Sequence, residues 1–442
     1  MTELYSWLCS FINSERGLGG APGGAAFKLD RMMILARLAG HPELSCPVIH
    51  VAGSKGKGSV TAMAASILEA AGVRTARYMS PHVRDWRERI SRGNGAFFSE
   101  VVYNKAGWEL QALYGEYSHR LRKAGRARLT DEPTFFELAT MLFFLCARVD
   151  RCEAMVVETG LGGRLDATNI VEPGASVITV IEKEHTEYLG NSLTEIAAEK
   201  AGIIKKNRPV VSAEQNADVL SALRRRAEEQ GAPFIYAPDC AAVSGLELRP
   251  AGMDFCLTDN GSSLRVSGMP LTGKVYADNA VLAVLAVRRL FPFVDDASIV
   301  RGLAATSLPA RFEKLRSNPP FIVDGAHTPL SVYQCAETFC ALYGNGGILL
   351  FGCAADKDSG GMADILLPRF SRCIITAPGA FRYSDPAAVY ESFRSRAAPY
   401  AADIVCVPET RAAVEEALKA GTEKSLPVLA CGSFYLAAEI SI

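Results

Sequence analysis

The run Val48-Ile49-His50-Val51-Ala52-Gly53-Ser54-Lys55-Gly56-Lys57-Gly58-Ser59 decides the fold. Its first five residues are apolar around a single histidine and rich in β-branched side chains, the composition of a strand buried on both faces. A glycine-rich turn with two lysines follows, and residues 60–71 read as a helix ended by Gly72. Strand, glycine turn and helix start together make an anion cradle. Glycines let backbone N–H groups turn inward, and the helix N-terminus adds partial positive charge. Lys57 is then placed for the terminal phosphates of ATP, and Ser59 for a Mg²⁺ ion. Counted from Gly53, the loop is shorter than G-x-x-x-x-G-K-[ST]. Gly58 also stands between the lysine and the serine, which separates this chain from kinases and GTPases.

Outward from this loop the period repeats. Residues 154–158 form a second apolar strand that ends on Glu158, and 176–181 a third, followed by Glu182-Lys183-Glu184-His185. Strands alternating with helices predict parallel βαβ units, whose ligands gather at the carboxyl ends of the strands. Lys57, Glu158 and His185 are therefore expected to converge. A carboxylate with one imidazole suits Mg²⁺ or Mn²⁺ bridging phosphate oxygens. Lys200 lies in a helix that ends at Gly202; on helical position alone it faces solvent.

The alternation resumes after Pro309, with strands at 321–324, 348–351, 373–376, 404–407 and 427–430 and a helix at 411–418. Between them, residues 239–275 carry short strands and the turn Asp259-Asn260-Gly261, the pattern of a small antiparallel sheet. The chain of 442 residues exceeds one ordinary core, so two domains are expected, 1–306 and 307–442. The fold class is α/β: a phosphate-loop ATPase domain of Mur-ligase type bearing a small antiparallel sheet, and a C-terminal Rossmann-like domain. Gly17 to Gly24 reads as a loop.

A net charge of -1 gives no basic field for nucleic acid. The twelve cysteines include no C-x-x-C pair, which fits reduced thiols in a cytoplasmic enzyme. The first 14 residues lack the pattern of a signal peptide, and the apolar run 138–146 is too short to cross a membrane.

These residues resemble the folylpolyglutamate synthase and dihydrofolate synthase family, relatives of the Mur peptide ligases. The resemblance runs from Phe27 to Leu436. It rests on 53–59, Ser80-Pro81-His82 with Glu88-Arg89-Ile90, 158–169, His185 with Leu189-Gly190, and 199–203. It continues through Asn279-Ala280, 310–313, Asp324-Gly325-Ala326-His327 and 356–358. The resemblance implies that Lys57, within Gly53, Gly56, Gly58 and Ser59, holds the β- and γ-phosphates. It implies two Mg²⁺ ions, one on Ser80 and Glu158 and a second on Glu158 and His185. It implies a carbamylated Lys200 that orients metal-bound water, and nucleotide contacts from Asn279, Arg311, Asp324 and His327. It further implies acceptor contacts from His82, from Arg89 near a glutamyl tail, and from Asp166 near a pterin. Four places depart from the usual family pattern: Ser54-Lys55 replaces Thr-Asn, Glu184 replaces Asp, Val275-Tyr276 replaces His-Gln, and Thr328 replaces Asn.

The implied activity is ATP-dependent ligation of L-glutamate to folate through an acyl phosphate, with dihydropteroate as a possible second acceptor, in a monomer that binds neither nucleic acid nor membrane. No G-x-S-x-G elbow suggests a covalent enzyme intermediate. Two alternatives differ in class. A cell-wall Mur ligase is expected to carry a separate N-terminal domain, and only 52 residues precede Gly53. A non-catalytic nucleotide switch has no need of Arg311, Asp324 and His327.

Overall fold

Val48–Ala52 form strand β1, and all five residues are buried, as a central parallel strand requires. The computed structural model describes residues 2–13, 29–125, 131–379 and 383–440; the loop expected at Gly17 to Gly24 lies outside them. β1 is the middle of a seven-stranded sheet with β2 (Thr75–Tyr78), β3 (Ile90–Arg92), β4 (Ala154–Glu158), β5 (Ala175–Ile178), β6 (Val210–Ser212) and β7 (Phe234–Tyr236). Their order is β3-β2-β4-β1-β5-β6-β7. Only β3 runs antiparallel, against β2. Both direct neighbours of β1 are parallel to it, so the register places Val51 beside Glu158 and Ala52 beside Ile178. The carboxyl ends that carry the phosphate loop, Glu158 and the approach to His185 thus lie side by side. The strand order also reverses direction at β1, the crevice where open parallel sheets bind ligands.

The helix after the loop spans Lys57–Ala70 and begins earlier than the expected residue 60, because Gly56, at φ 93°, already serves as its N-cap. Strand β5 is shorter than the expected 176–181. Strands β8 (Ala241–Arg249), β9 (Gly252–Asp259) and β10 (Ser262–Met269) form a separate three-stranded sheet, in the order β10-β9-β8. Two-residue connections can join only antiparallel neighbours. Asn260 (φ 48°) and Gly261 (φ 86°) both take the left-handed conformation that a tight hairpin turn demands.

The chain divides into two compact units. One comprises Met1–Leu246, Asp254–Met269 and Tyr276–Ser307; the other comprises Leu308–Ile442 with Glu247–Met253 and Pro270–Val275. The second unit is built on β11 (Glu313–Ser317), β12 (Pro320–Val323), β13 (Gly347–Phe351), β14 (Phe370–Ile375), β15 (Asp403–Cys406) and β16 (Val428–Cys431), ordered β11-β12-β16-β13-β14-β15. All its pairings are parallel except β11 with β12. The helix expected at 411–418 spans Thr410–Lys424. All twelve cysteines are free thiols, six buried and six half-buried. Among the described residues, no helix is long and apolar enough to cross a membrane.

One buried ion pair ties helices of the first unit together. Arg31, on helix Leu29–Leu38, donates to both oxygens of Glu137 at 2.9 and 3.1 Å. Glu137 also accepts from the Thr134 amide at 2.7 Å, closing a capping box on helix Phe135–Val149. Removing one partner of such a pair strands a buried charge, whereas replacing both with apolar groups need not. Arg31→Met is therefore expected to destabilise the first unit by about 3–5 kcal/mol. The double variant Arg31→Met/Glu137→Leu is expected to recover much of that loss, read as denaturant midpoints. A double variant as unstable as the single one would mean that the charge plays no part.

Candidate active site at the phosphate loop

The loop backbone is fixed by the segment that follows β5 and by the helices around it. The Ser54 amide donates to the Val180 carbonyl at 2.8 Å, and the Ser54 hydroxyl to the Glu182 carbonyl at 3.1 Å. Two glycines here cannot be replaced. At Gly53 (φ 149°) a Cβ would fall 1.8 Å from Thr179 Oγ1, and at Gly56 (φ 93°) 2.6 Å from Asn279 Oδ1. Asn279, buried on helix Lys274–Leu290, therefore packs directly against the loop, where the sequence places a nucleotide contact.

Two lysines share one oxygen. Lys57 Nζ donates to the Gly53 carbonyl at 3.0 Å, and Lys200 Nζ donates to the same carbonyl at 2.7 Å. The solvent-facing position suggested for Lys200 by its helix is overturned: its side chain is only 2% exposed. The reason is that helix Leu193–Lys200 ends against the loop and turns its last residue inward. Glu184 is the counter-anion of this cluster. One carboxylate oxygen lies 3.1 Å from Lys200 Nζ and the other 3.6 Å from Lys55 Nζ. Burial pushes the Glu184 carboxyl up, but Lys57, Lys200 and Lys55 outweigh it and hold the group at about 2. Lys200 is pushed down to about 8 by burial and by Lys57, with Glu184 opposing. His185, in the left-handed conformation (φ 48°) at the head of helix Thr186–Leu189, is held below its ordinary value by burial. Glu184 opposes that shift, and Lys57 and Lys200 add to it.

Glu158 is buried at the end of β4, and its Oε2 accepts from the Ser80 amide at 3.1 Å. A Cβ at Gly58 would lie 3.5 Å from the same oxygen, so the carboxylate overhangs the start of the loop helix. Ser59 is buried one residue further on. Among the described residues, no three His, Cys, Asp or Glu side chains gather to hold an ion. The donors present are the Ser59 and Ser80 hydroxyls, the Glu158 carboxylate and the His185 imidazole. That chemistry fits Mg²⁺, which is held by one or two protein carboxylates and takes its other oxygens from phosphate and water.

Beyond Ser80 stands an aromatic and basic cluster. Arg89, 2% exposed, donates through Nε to His82 Nδ1 at 2.8 Å and lies over the Phe135 ring at 5.3 Å. An Nδ1 that accepts leaves the His82 proton on Nε2, 3.4 Å from the Tyr5 hydroxyl, and Tyr5 stacks on Trp86 at 5.7 Å. Arg89 thus positions His82 from within. Asp166 is also buried. It caps the turn Ala167–Ile170 and accepts from the Gly160 and Leu161 amides, both at 2.9 Å.

In the second unit, Asp324 accepts from the Phe312 and Ala326 amides, both at 2.7 Å. Ala310 (φ 52°) and Phe312 (φ 48°) flank Arg311 in the left-handed region, a strained turn held by Glu313 and Asp324. Arg311 lies 4.1 Å over the Phe434 ring, and the His327 ring meets the same phenyl at 5.6 Å. The sequence reading missed Phe434, Lys55 and the Lys55–Glu184 pairing. The two departures from the family pattern at 55 and 184 were the only signal for that pair.

A glycine phosphate loop feeding a helix, an overhanging carboxylate with serine hydroxyls, and a lysine cluster anchored by the buried Lys200 define a phosphate-loop ligase of two α/β units. The Mur ligase middle domain matches residues 110–287, and the Mur ligase glutamate ligase domain matches 310–434. The dihydrofolate synthase/folylpolyglutamate synthase of Bacillus subtilis is 34% identical over 363 residues, 81% of each chain. The folylpolyglutamate synthase of Lacticaseibacillus casei is 29% identical over 418 residues, 93% of this chain and 92% of that one. The Mycobacterium tuberculosis folylpolyglutamate synthase complexed with ADP superposes with TM-score 0.87 at 28% identity, covering 99% of this chain and 96% of that one. The chain belongs to the folylpolyglutamate synthase/dihydrofolate synthase family of the Mur ligase superfamily, and it is an ATP-dependent, amide-bond-forming ligase.

Proposed function

We propose that this ligase joins the amine of L-glutamate to the γ-carboxylate of a reduced folate, and that it also takes dihydropteroate as an acceptor. The observation that carries the reading is the convergence of Lys57 and Lys200 on the Gly53 carbonyl, with Glu184 paired to Lys200 and Glu158 overhanging the loop beside Ser80. A solved FPGS–AMPPCP–folate complex, 26% identical with TM-score 0.81, supports folate as the acceptor class.

A carboxylate is a poor electrophile. Its oxygen attacks the γ-phosphorus of ATP, ADP leaves, and an acyl phosphate forms. The neutral amine of glutamate then attacks the acyl carbon, the C–O bond to phosphate breaks, the amine nitrogen gives up one proton to solvent, and the amide and inorganic phosphate remain. In the first step, Lys57 turns from the Gly53 carbonyl to the transferring phosphoryl group and stabilises its charge. Two Mg²⁺ ions, held by Ser59, Ser80, Glu158 and His185, would supply further charge stabilisation to the phosphates. Asn279, packed on Gly56, orders the loop against the nucleotide. Arg311 and His327 supply nucleotide contacts, with Asp324 toward the ribose. His82, held by Arg89, faces the acceptor.

ADP release separates the possibilities. Turnover is expected only when acceptor, glutamate and ATP are all present, with both a reduced folate and dihydropteroate active. Turnover with the folate but not with dihydropteroate would remove the second activity. Turnover with neither would overturn the reading.

A further inference from the structure

His50 stands in the middle of β1, is fully buried, and takes no part in the chemistry described above. Its Nε2 lies 2.8 Å from the Thr168 hydroxyl. That hydroxyl in turn hydrogen-bonds Asp166 Oδ1. A carboxylate oxygen only accepts, so the threonine proton points to Asp166 and the threonine lone pair accepts from His50. The imidazole is therefore fixed with its proton on Nε2. Its Nδ1 has no hydrogen-bond partner among the described residues. A buried, half-satisfied histidine in a strand core costs stability that a leucine would not, which calls for another reason for its presence.

Asp166 supplies that reason. Oδ2 accepts from the Gly160 and Leu161 amides, both at 2.9 Å, and Oδ1 accepts from the Thr168 amide at 3.0 Å and from its hydroxyl. All four acceptor positions of the carboxylate are taken. No lone pair remains for a pterin, so Asp166 acts on an acceptor through the loop it holds. That loop begins two residues after the overhanging Glu158.

We infer that His50 is a positioning residue for the acceptor side of the site, acting through Thr168 and Asp166 on the loop of residues 160–166. The inference rests on the proposed reaction and on the family resemblance that sets Asp166, which holds this loop, near the pterin of the acceptor. The relay does not titrate in the working range. Burial, with Lys205 adding to it, pushes the imidazole down to about 3, so it stays neutral and keeps donating from Nε2. A fixed donor suits positioning and excludes proton transfer.

The test uses the full-length enzyme with a reduced folate, glutamate and ATP. His50→Leu removes the donor, whereas the side-chain amide of His50→Gln places a nitrogen close to the imidazole Nε2. His50→Leu is expected to raise the KM for the folate about tenfold, the loss of one buried hydrogen bond, with the KM for ATP within about twofold of wild type. His50→Gln is expected to restore the folate KM to within about threefold, and the pH–rate profile to superimpose on that of wild type. Thr168→Val cuts the same relay at its centre and gives the same reading if His50→Leu does not fold. An unchanged folate KM in a folded variant would overturn the inference, and so would a parallel rise in both KM values. Wild-type enzyme without folate-dependent ADP release would instead overturn the proposed reaction, and this inference with it.

Discussion

Lys57→Ala is expected to lose about 10³-fold or more in kcat while its melting temperature stays close to that of wild type. The lysine heads helix Lys57–Ala70, and its amine touches only carbonyls of its own loop, Gly53 at 3.0 Å and Ser54 at 3.5 Å. Removing it costs the fold two bonds at a half-exposed position, but in the proposed mechanism it takes from the transferring phosphoryl group the cation that stabilises its charge. Lys57→Arg keeps the charge on a bulkier, planar head and is expected to recover only part of the rate. Lys57 also pushes the Lys200 amine down. The alanine variant should therefore let Lys200 regain protons, deepening the loss near neutral pH. Wild-type turnover in a folded Lys57→Ala enzyme would remove the loop from the chemistry.

The second large effect is expected at Lys200. We propose that it works as a carbamate, formed when the neutral amine attacks CO2 and releases a proton. Burial and Lys57 lower the amine to about 8. The protonated form therefore dominates at pH 7 and yields to the neutral form as pH rises through that value. At fixed dissolved CO2, carbamylation is expected to increase over the same interval, visible as a ¹³C carbamate resonance from labelled bicarbonate. The new anion would face Glu184, which now sits 3.1 Å from the amine, and Lys55 at 3.6 Å is the cation that can take Glu184 over. Lys200→Ala is expected to lose most activity, and short carboxylic acids to restore part of it by filling the vacated space. Full activity in Lys200→Ala, or an unmodified amine in crystals grown with bicarbonate, ATP analogue and magnesium, would count against the carbamate.

How far the sequence is legible depends on which forces act locally. β1, β4 and β13 are buried on both faces, so their apolar runs mark them almost to the residue. β2 lies next to the edge strand β3 and is buried just as fully, yet it reads Thr-Ala-Arg-Tyr and carries no strand signal. Arg77 is buried there and donates to Ser91, a pairing that no strand pattern announces. The short edge strand β7 is half-exposed and carries too little periodicity to register. At the site, glycines and the strand-to-helix switch give away Lys57, and the end of an apolar strand gives away Glu158, because backbone geometry constrains them; Asn279, inside helix Lys274–Leu290, is reached only through the family resemblance. The inward turn of Lys200 and the saturation of Asp166 depend on long-range partners, Gly53 and Glu184 for one and the Gly160–Leu161 amides for the other. Spacing along the chain does not encode such partners.

The stacking of Tyr5 on Trp86 beside His82 has a spectroscopic consequence. The chain's three tryptophans are Trp7, Trp86 and Trp108, all ahead of the second unit's Leu308–Ile442 core. Indole emission is therefore a private channel for the first unit. Within it, Trp7 packs edge-on against Phe11 and Tyr114, Trp108 stands 68% exposed in water, and Trp86 stacks on Tyr5, whose ring meets His82 edge-on. A bromide or acrylamide quencher silences Trp108 first. What remains is light from the packed indoles, one of them a built-in fluorophore beside His82, the proposed acceptor contact, readable without any label.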